Sequence, residues 1–326
     1  ILARATRQLA SEAQRAGVPV VNVWLNSPAR PLPSVLPDVE EAGAMAARHL
    51  LGRGFRQFGF LGYLRDKASD LELKGFRSVI EASGSSCLVH RYRTSGPTLA
   101  RSWGAFNRGL EEWVDTWSTP IGVYGNHDLA CRYLINVCRA RGLTVPQDVA
   151  VVGGGNELPL CMSAPLTLTS IDRGYTQIGY RAAELLDRLM NGQAPPSEPQ
   201  WVASAELFPR QSTDAYAVDD PLVARALRFI AEHGHEPIKV DDVAASTPTT
   251  RRSLERRFQK TMRRTISEEI LRLRLERAKR RLTDADEPLK KVAAASGFSN
   301  PTHFYRAFVR LEGISPKEYC KQRRKS

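Results

Sequence analysis

The sequence predicts an α/β body followed by a smaller all-α region, and three observations carry that prediction. Up to residue 213, short continuous apolar runs alternate with amphipathic segments. That is the pattern of parallel strands covered on both faces by helices. From residue 222 no strand pattern remains, and one helical pattern is written twice. The net charge of +12 belongs entirely to that second region: residues 221–326 hold 25 Lys and Arg against 13 Asp and Glu, and residues 1–220 hold 22 of each. A neutral body beside a strongly basic end points to a polyanionic partner, with nucleic acid ahead of a membrane surface or an acidic protein.

The body opens on Ile1-Leu2-Ala3, which reads as the tail of a buried strand without an initiator Met, so an N-terminal truncation is expected. An amphipathic helix is expected over 6–16 and a strand over 19–24 (Pro-Val-Val-Asn-Val-Trp). A Pro-rich loop runs through Pro37, and a helix over 39–51 is closed by Gly52 and Gly54. Strands then fall at 57–61, 87–92, 121–124, 149–152 and 167–171, each a short apolar run. Between and after them the apolar spacing lengthens to three and four, giving helices over 71–82, 99–117, 129–141 and 176–191.

Ligands of such folds bind outside the carboxyl ends of the strands. Here those ends are polar. The strand at 121–124 runs into Gly125-Asn126-His127-Asp128, that at 149–152 into Gly153-Gly154-Gly155-Asn156-Glu157, and that at 167–171 into Asp172-Arg173. Convergent polar groups of this kind suit a hydroxyl-rich small molecule. Asp128, Asn156, Glu157 and Asp172 are therefore candidate effector contacts; Asp128 and Asp172 read equally well as helix caps. Trp24 and Trp103 read either as stacking platforms for a sugar ring or as core residues.

Residues 214–221 are short, polar and non-periodic, and make the linker between domains at 1–213 and 222–326. A helix over 222–233 has Val223, Leu227 and Ile230 as its apolar stripe and should pack under the first of the two repeated motifs. The first copy pairs Val240-Asp241-Asp242-Val243-Ala244-Ala245 with a helix carrying Leu254 and Phe258; the second pairs Leu289-Lys290-Lys291-Val292-Ala293-Ala294 with one carrying Phe304 and Phe308. A small helix, a tight turn and a second helix with a cationic outer face form a helix-turn-helix. Arg252 and Arg256 lie one turn apart on the outer face of the first copy, and Thr302 and Arg306 on that of the second. An arginine fork suits the two acceptors of a guanine edge. Between the copies, 266–282 reads as a stiff spacer helix with Ile270, Leu273, Ala278 and Leu282 inward. Such a spacer can hold two recognition helices about one DNA turn, roughly 34–36 Å, apart. Arg251, Lys290, Lys291 and the 321–325 tail read as phosphate contacts or as solvated charge.

Other chemistries lack their residues. The five Cys form no metal or redox spacing, and a scattered odd set fits a reducing cytosol. His233 and His235 have no companion ligands in sequence, so neither a metal nor a cofactor is expected. There is no membrane-length apolar run, no nucleophile elbow and no phosphate-binding glycine loop.

The basic region resembles the double helix-turn-helix domain of AraC/XylS-type regulators. The matching residues are Val292-Ala293-Ala294-Ala295-Ser296-Gly297-Phe298-Ser299, Phe304-Tyr305-Arg306-Ala307-Phe308 and Gly313-Ile314-Ser315-Pro316-Lys317-Glu318-Tyr319. Position by position, Arg252, Glu255 and Arg256 fall on that family's base-contacting places in the first motif, and Thr302, His303 and Arg306 in the second. Where the family has Gly after the first recognition helix this chain has Met262-Arg263, so that helix end is expected to be reshaped.

The body resembles the periplasmic-binding-protein-like, sugar-binding domain of LacI-type regulators. It matches in Gly142-Leu143-Thr144-Val145-Pro146-Gln147-Asp148-Val149, in Asn126-His127-Asp128-Leu129-Ala130 and in Ala164-Pro165-Leu166-Thr167. That resemblance implies a two-lobed α/β sensor whose first strand, helix and next strand precede Ile1. Regulators of the xylose-operon type join the two parts in this order, and they place sugar-contacting loops at Asp128, Asn156 and Glu157. At Gly155 they have an Asp, so an acceptor for sugar hydroxyls is absent here. The resemblance implies a cytoplasmic, pentose-responsive regulator, homodimeric through its sensor, with double-stranded DNA, a small sugar and RNA polymerase as partners. Two alternatives stand beside it. One is a constitutive regulator with a degenerated sensor; the other is a sugar receptor or sugar-acting enzyme on the same α/β body.

Overall fold

The computed structural model describes residues 6–28, 32–93, 99–163, 165–203, 206–218, 220–284 and 287–325, with side chains described for these except 99–103, 280, 283–284 and 321–325. The chain divides between Ala217 and Val218 into two compact units.

The first unit runs α1 (Arg7–Arg15), β1 (Val35–Asp38), α2 (Val39–Gly52), β2 (Gln57–Tyr63), α3 (Lys67–Ala82), β3 (Cys87–Tyr92), α4 (Leu99–Val114), β4 (Ile121–Gly125), α5 (Asp128–Ala140), β5 (Val149–Gly154), α6 (Leu158–Cys161), β6 (Thr169–Asp172), α7 (Tyr175–Met190), β7 (Gln200–Ala203) and β8 (Glu206–Phe208). Its main sheet has the order β3-β2-β4-β5-β6-β8, parallel except for β8. Alternate residues of each strand face opposite layers. Phe58, Phe60, Tyr124, Ala150 and Val152 pack against Ala46, Ala47 and Leu50 of α2 and Phe76 and Ile80 of α3. Val123, Val149 and Val151 pack against Phe106, Leu110 and Trp113 of α4 and Leu134, Ile135 and Cys138 of α5. A second, two-stranded parallel sheet, β1–β7, is covered by Ile178, Ala182 and Leu185 of α7 over Val21, Val35 and Val202. Because β2 lies between β3 and β4, the chain turns off in opposite directions on either side of it. A crevice forms at such a switch point, at the strands' carboxyl ends.

Several expectations are corrected. The strand expected over 19–24 is reduced to one bridge, Asn22 to Ser34, since Pro33 has no N–H with which to extend the ladder. The expected Pro-rich loop instead contains β1. Pro37 is accommodated there because β1 pairs continuously with β7 alone among the described residues. α3 starts earlier than expected, at Lys67, because the Asp66 carboxylate accepts from Ser69 N at 2.7 Å. α4 ends at Val114 rather than 117, β6 is shifted to Thr169–Asp172, and β7 and β8 were not anticipated. Within the linker expected at 214–221, Asp214 lies 3.5 Å from Arg53, and the Tyr216 ring lies under the Arg53 guanidinium.

The second unit is all helix: α8 (Pro221–His233), α9 (Val240–Ala245), α10 (Arg251–Met262), α11 (Ile266–Asp284), α12 (Leu289–Ala295), α13 (Pro301–Glu312) and α14 (Pro316–Lys325). α8 buries Val223, Ala226, Leu227 and Ile230 and packs against α9 and α10. The inward stripe of α11 is Ile266, Ile270, Leu275, Ala278 and Leu282; Leu275 takes the place expected of Leu273. From Leu275 onward that stripe joins Val292, Phe304 and Phe308 in one core. The repeat holds in space at an offset of 50 residues. Thr250 and Asn300 cap the recognition helices, and Thr265 and Ser315 each form a reciprocal cap with Glu268 and Glu318.

The end of α10 is not reshaped. Arg263 takes the left-handed conformation, φ 57°, and its N–H donates to Gln259 O; Gly313 does the same after α13, at φ 74° with Val309 O. An L side chain is strained in that conformation and glycine is not. Arg263→Gly should therefore stabilise this unit by about 1 kcal/mol. Urea unfolding followed by helical circular dichroism checks it, and an unchanged or lower midpoint would contradict it.

Candidate functional site

The crevice floor is built by residues at the ends of four strands, β2, β3, β4 and β6, and by one residue of α3. Glu72 of α3 is fully buried, and its Oε1 lies 2.5 Å from Arg173 Nη2, just beyond β6. The Tyr124 hydroxyl donates to the same oxygen at 3.0 Å. Arg173 Nη2 also donates to Asn126 O, and its Nη1 to the Tyr175 hydroxyl at 3.1 Å. Burial pushes the Glu72 carboxyl up to about 7, against the opposing pull of Arg173 and the Tyr124 hydroxyl. Burial also works against the Arg173 charge, yet Glu72, Tyr175 and Tyr124 hold it firmly protonated. Beside this pair, the Tyr63 and Tyr92 rings lie 4.7 Å apart, and the Tyr92 hydroxyl donates to Asn126 Oδ1 at 3.4 Å.

The four candidate effector residues divide. Glu157 is exposed, 3.4 Å from His127 Nε2. His127 caps α5 by accepting from Leu129 N at Nδ1, which leaves its proton on the nitrogen facing Glu157. Asp172 is half-buried; its Oδ1 accepts from Gly174 N at 2.7 Å, securing the turn into α7. Asn156 sits at φ 53°, a conformation Asn tolerates, and its Oδ1 accepts from Arg210 Nη2 at 2.8 Å. Asp128 is a correction. It is fully buried, its Oδ1 accepts from Ser170 Oγ at 2.6 Å and its Oδ2 from Glu157 N at 2.8 Å. It is the first residue of α5 rather than its cap, and it tethers the 155–157 loop instead of offering an oxygen to the crevice. Gly155 lies at φ 122°, where an Asp could not sit without strain. Trp24 is half-buried, and the Trp103 side chain lies outside the described residues. Two residues on, Asn26 Nδ2 donates to Asp66 Oδ2 at 2.6 Å while Asn26 Oδ1 accepts from Lys67 N at 2.7 Å, joining the loop before β1 to the start of α3. Sequence reasoning missed Glu72 and Tyr92 as crevice residues, and it placed Arg173 at the crevice without making it a candidate contact.

In the second unit the arginines of α10 separate by their partners. Arg251 is held by Asp241 at 2.7 Å and by Glu255 at 2.9 Å, and Arg257 by Asp220 at 2.8 Å. Arg252 and Arg256, and Arg306 of α13, are exposed and in no ion pair among the described residues. Glu255 is half-buried and occupied by Arg251. Thr302 and His303 are exposed at the start of α13, the His303 ring edge-on to Phe298 at 5.9 Å. Arg251 reads from sequence as a phosphate contact or as solvated charge; its two ion pairs favour neither a free cation nor a base contact, and its charge is balanced within the unit. Lys290 and Lys291 are exposed, and the side chains of the 321–325 tail lie outside the described residues. Among the described residues no His, Cys, Asp and Glu cluster could hold a metal, and no helix is long and apolar enough to cross a membrane.

Comparison with known proteins agrees with both halves. The periplasmic binding protein-like domain matches residues 47–213, and a helix-turn-helix domain matches residues 243–322. The xylose operon regulatory protein of Haemophilus influenzae is 28% identical over 275 residues, covering 84% of this chain and 71% of the relative. That of Escherichia coli is also 28% identical over 275 residues, covering 83% and 69%. A solved structure of a xylose-binding transcription activator aligns over 96% of this chain and 84% of its own, at 26% identity and a TM-score of 0.56. The matched relatives are transcriptional regulators, not enzymes. With its α/β body matched over 47–213 and a double helix-turn-helix behind it, the chain belongs to the periplasmic binding protein-like family, in the branch whose sensor is joined to a DNA-binding domain.

Proposed function

We propose that this chain is a sugar-responsive transcription regulator of xylose-type pentose utilisation. Its crevice takes a small sugar, and Arg252, Arg256, Thr302, His303 and Arg306 face the bases of an operator. The observation that carries the reading is the pair of recognition helices on which Arg252, Arg256 and Arg306 are exposed and in no ion pair among the described residues, in a unit that holds the whole net charge. A sugar can shift such a regulator only by its difference in affinity for the open and closed sensor. His127, Glu157, Asp172 and Tyr175 are crevice groups with polar atoms for a sugar's hydroxyls. The working protein is a cytoplasmic homodimer: Leu158 and Met162, four residues apart at α6, are exposed, as is Leu129 on α5, which packs on α6. Sedimentation of the full chain tests that state, and a monomer at micromolar concentration would refute it.

DNA binding should weaken steeply with salt. About six neutralised phosphates imply a loss of about 10³-fold between 50 and 200 mM. A flat response in fluorescence anisotropy with a labelled duplex would remove the basic unit as the DNA surface. A constitutive regulator is the competing reading, favoured by the engaged Asp128 and the bare Gly155. Calorimetry with a panel of pentoses separates the two: heat from any member supports sugar response, and none from all supports constitutive binding.

A further inference from the structure

We propose that Arg274 and Gly297 lock the two helix-turn-helix motifs together, so that the spacing between the two DNA subsites is set by a contact remote from the DNA. The inference rests on the DNA-binding reading and adds to it a positioning role for residues off the recognition helices.

A spacer helix alone fixes distance but leaves bending and twist at its ends. α11 spans about 28 Å at the usual helical rise, and the second motif is anchored to it through Leu275, Ala278 and Leu282. On the other side α11 packs on α8 and α10, and it also holds backbone carbonyls ahead of the first motif. Arg274 Nη2 donates to Glu236 O and Ile238 O, both at 2.9 Å, in the turn between α8 and α9. One helical turn along, Arg277 Nη2 donates to Ala231 O at 2.7 Å, in the last turn of α8. The same Arg274 guanidinium lies 6.0 Å from the centre of the Phe298 ring, which is buried in the core of the second motif. Arg274 thus touches the turn that leads into the first motif and the core of the second at once.

Gly297 brings the two turns together directly. It lies at φ 90°, and a β-carbon there would sit 2.4 Å from Gly234 O, 2.9 Å from Arg274 Nε and 3.0 Å from Glu236 O. Any side chain would push the turn of the second motif off the α8–α9 turn. One side of the seam is the backbone of the α8–α9 turn that leads into the first helix-turn-helix, the other is the turn of the second, and one side chain spans it. With this seam closed, α10 and α13 can address DNA in only one relative phase. Inserting a base pair moves one subsite by about 3.4 Å along the duplex and by about 34–36° around it.

The test uses duplexes selected from a random pool by the full chain, rebuilt with one base pair inserted or removed between the two protected segments. The parent should lose at least about tenfold in affinity with either change, as for losing contacts to a base pair or more. Arg274→Met and Gly297→Ala, confirmed folded by circular dichroism, should bind the original duplex somewhat more weakly and lose most of that spacing penalty. Arg274→Lys, which keeps a donor for a carbonyl, should fall between. A folded variant that keeps the parent's full penalty overturns the proposal. So does a parent chain that accepts either altered spacing within twofold, and that measurement needs no variant. A chain that selects no duplex at all would instead overturn the DNA-binding reading, before spacing is ever measured.

Discussion

Replacing Arg173 by Met should destabilise the sensor unit by about 3–5 kcal/mol at pH 8, the usual cost of leaving one partner of a buried ion pair without the other. The cost falls on Glu72, which is fully exposed in the unfolded chain and fully buried in the folded one, with Tyr124 as its remaining donor. Its folded value, already about 7 with Arg173 present, moves further up without it. A carboxyl whose folded value lies above its unfolded one contributes stability that is present below the unfolded value and lost as pH rises through the folded one. The variant should therefore be closer to the parent at pH 5 than at pH 8, with a steeper fall between them. Glu72→Gln in the same chain should restore much of the loss and flatten the pH dependence. All five Trp lie in the first unit, so Trp fluorescence in urea reports that unit alone in the full chain. A loss that is equal at both pH values, or that Glu72→Gln does not relieve, would show that the pair is not what holds the crevice floor.

That pair also marks where the sequence stopped being informative. Parallel strands such as β4 and β5 are continuous apolar runs between helices, so their positions along the chain, and the polar groups at their ends, could be read directly. β1 could not, because Pro37 argues against a strand until its neighbours are known. β7 and β8, of four and three residues, are too short to stand out. Glu72 looks like any exposed helical carboxylate in Leu71-Glu72-Leu73-Lys74. Its burial follows from Arg173, which arrives from the far end of the sheet. Asp128 failed in the opposite sense: the motif placed it beside the crevice, but Ser170 and the Glu157 N–H had already taken its oxygens. In the second unit the repeat was legible since its apolar pairs, Leu254/Phe258 and Phe304/Phe308, recur at one offset. The seam at Arg274 was not, because its partners are backbone carbonyls, which no sequence pattern displays.

Arg306→Ala should weaken binding to a selected operator by about 1–3 kcal/mol while leaving affinity for random duplex nearly unchanged. Phe304, Ala307 and Phe308 hold α13 in the core, and Arg306 is exposed without an ion pair among the described residues. The truncation therefore removes a surface side chain and leaves the fold in place. A base contact and a phosphate contact differ in which affinity they change, since every duplex has phosphates and only the operator has the right base edge. An equal fall on both duplexes, with a shallower salt dependence, would reassign Arg306 to the phosphate backbone. Arg251→Ala supplies the contrast. Its charge is already shared between Asp241 and Glu255, so its loss frees two surface carboxylates rather than a base contact. Those freed carboxylates should repel all duplexes alike. The ratio of specific to random affinity should thus fall for Arg306→Ala and stay constant for Arg251→Ala. The opposite ordering would place the recognition surface on the other side of α10 and α13.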